Sequence, residues 1–209
     1  NRDGWTVLDP PAIEEVAQAL TPADLQLEPR DLTLLCGAPP CQPYSKAAMW
    51  NDQAWSGFAD ERAKPLLSFL RLAETFLPRV VLMENVQGFV AGPHSVAARI
   101  ASEFDAINQR CSTSYKVSTA ILDAADFGVP QRRRRAIIAA FRDGEEMIWP
   151  EPTHSDAPIR AWDALHDVKV TEPAPAIGKW SALLPSIPEG SNYLWHTSHG
   201  EGKPLFGYR

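Results

Sequence analysis

Several things are scarce or missing in these 209 residues. No apolar run approaches the length of about 20 residues that a membrane-crossing helix needs. No basic-then-apolar leader precedes the first motifs. Cysteine is rare: three residues, odd in number and scattered at positions 36, 41 and 111. That excludes a disulfide framework and fits a reducing compartment. No Cys-x-x-Cys pair or Cys/His cluster offers a zinc site. Positive charge is not in excess either, with 20 Lys and Arg against 26 Asp and Glu and a net charge of -6. A wholly basic nucleic-acid coat is excluded, while a local basic groove is not. There is no repeat and no low-complexity tract, although prolines thicken after Pro150. What remains, with 44% hydrophobic residues, suffices for one good-sized domain or part of a larger one.

The chain is organised around Gly37-Ala-Pro-Pro-Cys-Gln-Pro-Tyr-Ser45. The apolar run Leu32 to Cys36 leads into it and reads as a buried strand. Gly37 stops the strand. Pro39 and Pro40 fix φ and restrict the residues before them, so Cys41 is presented on a stiff loop at a strand's carboxyl end. Ligands bind there in open α/β sheets. Cys36, inside the run, reads as a small buried hydrophobe.

Thr6 to Leu8 is a candidate strand, and Pro10 and Pro11 open a helix over 12–20 with Glu14 and Glu15 near its positive end. Thr21 to Asp24 is a turn or short helix. Met49 to Gly57, with Trp50 and Trp55, reads as a surface loop beside the thiol. A helix is predicted from Asp60 to Leu77, with Pro65 in its first turn and Leu66, Leu70, Ala73 and Leu77 inward. Arg79 to Met83 follows as a fully buried strand ending at Glu84. A helix of crossover length makes it parallel to the first strand, so Cys41 and Glu84 share one sheet edge. A second helix spans 95–108 and a strand 115–122. Asp126 to Pro130 is a turn.

Gln131 and four arginines then feed the apolar strand Ala136 to Phe141. With a period of two, Gln131, Arg133 and Arg135 face one way and Arg132 and Arg134 the other, toward solvent or phosphate. Trp149 to His154 reads as a departure from the core. A helix over 159–168 carries Trp162 and Leu165 inward, and His196 and His199 read as polar surface. The expected division is a catalytic core over 1–148 and a target-recognition region or irregular extension over 149–209.

A thiolate, a carboxyl and paired guanidinia match the edges of cytosine. Thiol attack at carbon 6, helped by protonation at N3, would make carbon 5 nucleophilic. Pro40-Cys41-Gln42, Glu84-Asn85-Val86, Gln131-x-Arg133-x-Arg135 and the preceding Leu122-Asp-Ala-Ala-Asp-Phe-Gly-Val-Pro130 together resemble the cytosine-5 DNA methyltransferases, in the right order. The likeness spans roughly 32–141.

That resemblance implies a Rossmann-like, mostly parallel α/β core that uses S-adenosylmethionine and acts on a cytosine flipped out of double-stranded DNA. Cys41 would be the nucleophile, Glu84 would hold N3 and the amino group, and Arg135 would bind O2. Arg133 would order the loop and touch the backbone. Gln42, Ser45, Asn85 and Gln131 would face DNA, and Ala38 and Pro40 the methyl donor. The setting would be a bacterial restriction-modification system in the cytosol. The family's Phe-x-Gly-x-Gly-Gly loop, the acidic residue for the ribose and the closing helix are absent from these residues. Ala38 replaces a usual Gly, and Lys64-Pro65 a usual small residue and Leu. The expectation is an internal piece of a longer enzyme, completed by an N-terminal segment or companion chain, and inactive with weak or no donor binding by itself. A degenerate nucleic-acid-binding homologue, a tRNA cytosine-5 methyltransferase and an unrelated thiol hydrolase are the alternatives. The hydrolase lacks a His in any Cys-partner motif.

Overall fold

Two apolar runs, β1 (Leu34–Gly37) and β2 (Val80–Val86), pair in parallel with Gly37 opposite Met83. The connection between them includes the helix α2 (Lys64–Phe76), whose Pro lies in the first turn as expected. After β2 come α3 (Ala97–Cys111), β3 (Lys116–Asp123) and β4 (Arg134–Phe141). The sheet order is β1-β2-β4-β3, and β4 runs antiparallel to both its neighbours. β1, β2 and β3 point the same way, as expected, but only β1 and β2 pair in parallel: β4 is inserted antiparallel between β2 and β3, so the sheet is mixed rather than mostly parallel. The carboxyl ends of β1, β2 and β3 and the amino end of β4 meet at one edge.

The computed structural model describes residues 12–40, 63–92, 95–169, 177–178, 180–192, 194–198, 200–202 and 205. Cys41, Gln42 and Ser45 lie outside the described residues, as do the expected strand at Thr6, the prolines at 10 and 11, Trp50, Trp55, Asp60 and His199. The chain falls into two compact units, Asn1–Leu165 and His166–Arg209.

One face of the sheet is the core. Val81, Met83, Ala136, Ile138 and Ala140 pack against Leu66, Phe69 and Leu70 of α2 and Ile100, Phe104 and Ile107 of α3. A short helix, α1 (Ile13–Ala19), packs on the outside of α2 through Ala17, Leu72 and Phe76. A 3-10 turn over Pro22–Leu25 follows, closed by the Thr21–Asp24 capping box. Gly37 faces the core, where a Cβ would come within 2.6 Å of the Phe69 ring. The turn residue is also the packing residue.

The other sheet face differs from expectation. β2 is not buried throughout: Val81, Met83 and Asn85 are buried while Val80, Leu82, Glu84 and Val86 are half-buried. Cys36 is exposed rather than buried. It lies beside Leu82 on the face away from α2, and β1 is an edge strand among the described residues. An apolar run shows that a strand forms, not which faces find partners.

The edge away from the strand carboxyl ends is closed by side chains that take up main-chain carbonyls. α2 and α3 end in left-handed residues, Leu77 (φ 47) and Ser112 (φ 51). Arg142 donates to the carbonyls of Leu77 at 2.7 Å and Arg30 at 3.0 Å. Arg30 in turn donates to Cys111 and Ser112 at 3.1 and 3.2 Å. The hydroxyl of Tyr115 donates to the Pro78 carbonyl. Unpaired carbonyls at helix ends are costly when buried, and the cations suit the negative end of the helix dipole.

Beyond β4 none of residues 148–160 is buried, as expected of a departure from the core, yet the chain stays tied to the turn at Asp126. Thr153 and His154 both donate their amides to the Asp126 carbonyl, at 2.9 and 2.8 Å. The helix expected over 159–168 is shortened to α4 (Ala161–Leu165), and Trp162 and Leu165 are 74% and 61% exposed rather than inward. Their spacing is helical, but five residues bury no face. In the second unit His196 is buried, with Nε2 2.7 Å from the Ser186 hydroxyl, and is not polar surface.

Candidate active site at the carboxyl edge

Asn85 ties β2 to the loop after β1. It is 2% exposed, on the core face, where an unpaired amide would be expensive. Its side-chain nitrogen donates to the Pro39 carbonyl at 2.9 Å, and its oxygen accepts the Val86 amide at 2.8 Å. The link fixes the backbone immediately before Pro40 and Cys41. Asn85 was expected on the DNA side; the structure buries it and uses its amide inside the protein.

Glu84, one residue earlier, points to the opposite face. Its carboxylate accepts Nε of Arg135 at 2.8 Å, with the two side chains 41% and 26% exposed. Arg135 is opposite Val86 in the β2–β4 ladder, so it reaches diagonally to Glu84 on the same face. β2 runs two residues beyond Glu84, which places this acid inside the strand rather than at its end. A second Arg135 nitrogen donates to the Arg134 carbonyl at 2.8 Å, which restrains the guanidinium plane.

For Arg132, Arg134 and Arg135 the alternation holds. Arg132 and Arg134 lie beside Asp123, at 3.5 and 3.6 Å, on the other side of the strand from Glu84. Asp123 is 6% exposed and takes the Arg133 amide at 2.8 Å and the Ala125 amide at 3.3 Å. The Arg133 amide is the main cause that holds its carboxyl below the usual range; the Ala125 amide and the two guanidinia add to it, against desolvation. Sequence reasoning quoted Asp123 within a motif and gave it no role. Its signal was an acid at the end of a strand facing an arginine run.

Gln131 is exposed, with its amide on the Val129 carbonyl at 2.7 Å, and the Arg133 side chain is exposed. Gly128, at φ 85, begins this turn, and a Cβ there would come within 3.0 Å of the His154 ring. Ala38 and Pro40 are exposed beyond β1. Those two residues do not by themselves form a pocket for S-adenosylmethionine.

The edge thus offers a carboxylate and a guanidinium held together, a Pro39 carbonyl held by Asn85, and an exposed arginine cluster. A sequence profile of the C-5 cytosine-specific DNA methylases matches residues 13–182. The chain belongs to that family. It is 32% identical over 204 residues to the type II methyltransferase M.SacI of Streptomyces achromogenes, covering 88% of this chain and 49% of that protein. It is 36% identical over 153 residues to the type II methyltransferase M.AquIA of Picosynechococcus, covering 70% and 60%. Mouse DNA (cytosine-5)-methyltransferase 1 matches at 36% over 131 residues, 61% of this chain and 8% of the mouse protein. The chain thus spans about half the length of its bacterial relatives. Among solved structures, a putative DNA modification methyltransferase encoded within an E. coli prophage has a TM-score of 0.48 at 21% identity, over 73% of this chain and 40% of the other. No helix among the described residues is long and apolar enough to cross a membrane.

Proposed function

We propose that the protein containing this chain methylates carbon 5 of cytosine in double-stranded DNA. The observation that carries this reading is the Glu84–Arg135 pair at 2.8 Å, beside a loop anchored at Pro39. The two peptide links from Pro39 to Cys41 cover at most about 7 Å, so the thiol cannot be remote from that edge. A cytosine flipped into the edge presents O2 to Arg135 and N3 with the 4-amino group to Glu84. Cys41 thiolate bonds to carbon 6 as the carboxyl of Glu84 gives N3 a proton, and the electron pair of the 5,6 double bond moves to carbon 5. Carbon 5 is then methylated. N3 returns its proton to Glu84, a base (water or hydroxide) takes the carbon-5 proton, the 5,6 double bond re-forms and the thiolate leaves. S-adenosylmethionine supplies the methyl group.

Arg132, Arg133 and Arg134, with Gln42, Ser45 and Gln131, serve the DNA backbone and the vacated base position. Asn85 acts one step back, by positioning the loop. The donor pocket needs more than Ala38 and Pro40, and we place its remainder on an N-terminal segment or companion chain. These 209 residues alone would bind the donor weakly and transfer nothing. Two relatives named type II methyltransferases support a bacterial restriction-modification setting and a cytosolic location. The division at 148/149 then separates catalysis from target recognition.

The direct test is Cys41→Ser in the full-length protein. Methyl transfer should vanish while DNA affinity changes by less than about threefold, since the hydroxyl is a far weaker nucleophile at neutral pH. Equal loss of both, or retained transfer, would contradict the assignment.

A further inference from the structure

The amino end of β4 has a register problem. Its four arginines are chemically identical, and Ala136–Phe141 is apolar on both faces: Ala136, Ile138 and Ala140 point to the core, Ile137, Ala139 and Phe141 away from it. The usual device that sets register, one apolar face and one polar face, is missing. At the far end, Arg142 fixes the strand by its bonds to Leu77 and Arg30. Near the site, a one-residue bulge would leave Ala136 onward in place and turn Arg134, not Arg135, toward Glu84.

We propose that Asp123 selects the register, as a positioning residue that decides which arginine faces Glu84. The proposal rests on the reading of Glu84 and Arg135 given above. Oδ1 of Asp123 accepts the Arg133 amide at 2.8 Å, while the Arg133 carbonyl accepts the Ala124 amide at 3.1 Å. Residue 133 is thus clamped on both sides of its Cα. Oδ2 is buried without a hydrogen bond, and the charges beside it are Arg132 and Arg134 at 3.5 and 3.6 Å. A bulge that swung Arg134 to the other face would strip this buried carboxylate of a counter-charge and of its main-chain donor. The acid therefore penalises the wrong alternation, and Arg135 remains the arginine beside Glu84.

The test uses the full-length enzyme with Asp123→Ala, Asp123→Asn, and each combined with Arg134→Thr. Two quantities are read: amide exchange in a peptide covering 131–135, and kcat and KM for DNA. Asp123→Ala should speed exchange and lower kcat by about 100-fold, the effect of a displacement near 1 Å, with KM within about threefold. Asp123→Asn keeps an acceptor for the Arg133 amide and should lose about tenfold or less. Arg134→Thr should restore about tenfold of kcat in the Ala background, because the competing guanidinium is gone. Equal losses for Ala and Asn without restoration would show a supporting role only and overturn the proposal, as would unchanged exchange. If Asp123→Ala does not fold, the Asn variant decides: restoration by Arg134→Thr at an unchanged melting temperature supports register selection, and no restoration refutes it. Should the parent enzyme transfer no methyl group, the functional reading fails, while the exchange comparison still decides the register.

Discussion

β4 carries arginines at both ends, and the two ends do opposite things. Arg142, at the edge away from the site, is 13% exposed and gives Nη1 to the carbonyls that end α2 and precede β1, while Nε reaches the Asp143 carboxylate at 3.3 Å. Arg135, at the other end, is twice as exposed and gives Nε to a carboxylate that is itself 41% exposed. One end is bound mainly to backbone carbonyls from two distant segments. The other holds polar groups that a base can take up. Residue type does not distinguish the two, and each has one carboxylate partner; what differs is that Arg142 joins carbonyls of distant segments, whereas Arg135 holds a half-exposed carboxylate on the neighbouring strand.

The sharpest way to break that comparison is to remove each arginine. Arg135→Ala should lower the methyl-transfer rate by about 100-fold or more, as loss of a preorganised donor does, with little change in the unfolding midpoint. Arg142→Met should do the reverse: about 3 kcal/mol of stability lost, from two carbonyls left without a charged donor, and a near-normal rate per folded molecule. Denaturant titration and single-turnover kinetics on both variants would check the crossing. If both variants lost stability equally, the two ends would not differ in kind.

Asn85 lies between these cases, since like Arg142 it holds a main-chain carbonyl but it does so beside the site. Asn85→Ala should cost about 2 kcal/mol, because the Pro39 carbonyl and the Val86 amide lose their partner. It should also slow transfer more than that loss of folded protein explains. A rate that tracks the folded fraction would make Asn85 a packing residue alone.

The smallest effect concerns Tyr115, whose hydroxyl donates to the Pro78 carbonyl near Arg142. Burial pushes its phenol well above the ordinary value. The folded protein therefore favours the protonated phenol. Its stability contribution is complete below the unfolded value of about 10 and is lost as pH rises beyond it. Melting temperatures followed into alkali should fall more steeply for the parent chain than for Tyr115→Phe. An identical slope would place the titration elsewhere.

Much of the site was legible because it follows from periodicity and connection. Two apolar runs with a crossover helix between them put Glu84 at the same edge as the Pro-Pro-Cys loop, and a period of two separated Arg135 from Arg132 and Arg134. Roles that depend on a cross-strand partner were not legible. Asp123 meets its three arginines only once β3 lies against β4. Asn85 looked like a surface amide because a polar residue at a strand end normally is one, and its carbonyl partner lies 46 residues away. Cys36, Trp162 and Leu165 failed for a related reason: an apolar pattern specifies a face, while burial needs another element to cover it.

The central claim is that Cys41, Glu84 and Arg135 surround a single cytosine. Mass spectrometry of the full-length enzyme, incubated with methyl donor and an oligonucleotide carrying 5-fluorocytosine at the target, tests it most directly. The account predicts a covalent complex through Cys41 that forms in the parent enzyme, is abolished by Cys41→Ser and is slowed about 100-fold or more by Glu84→Gln or Arg135→Ala. An adduct at another residue, or one that forms equally fast in all three variants, would contradict it.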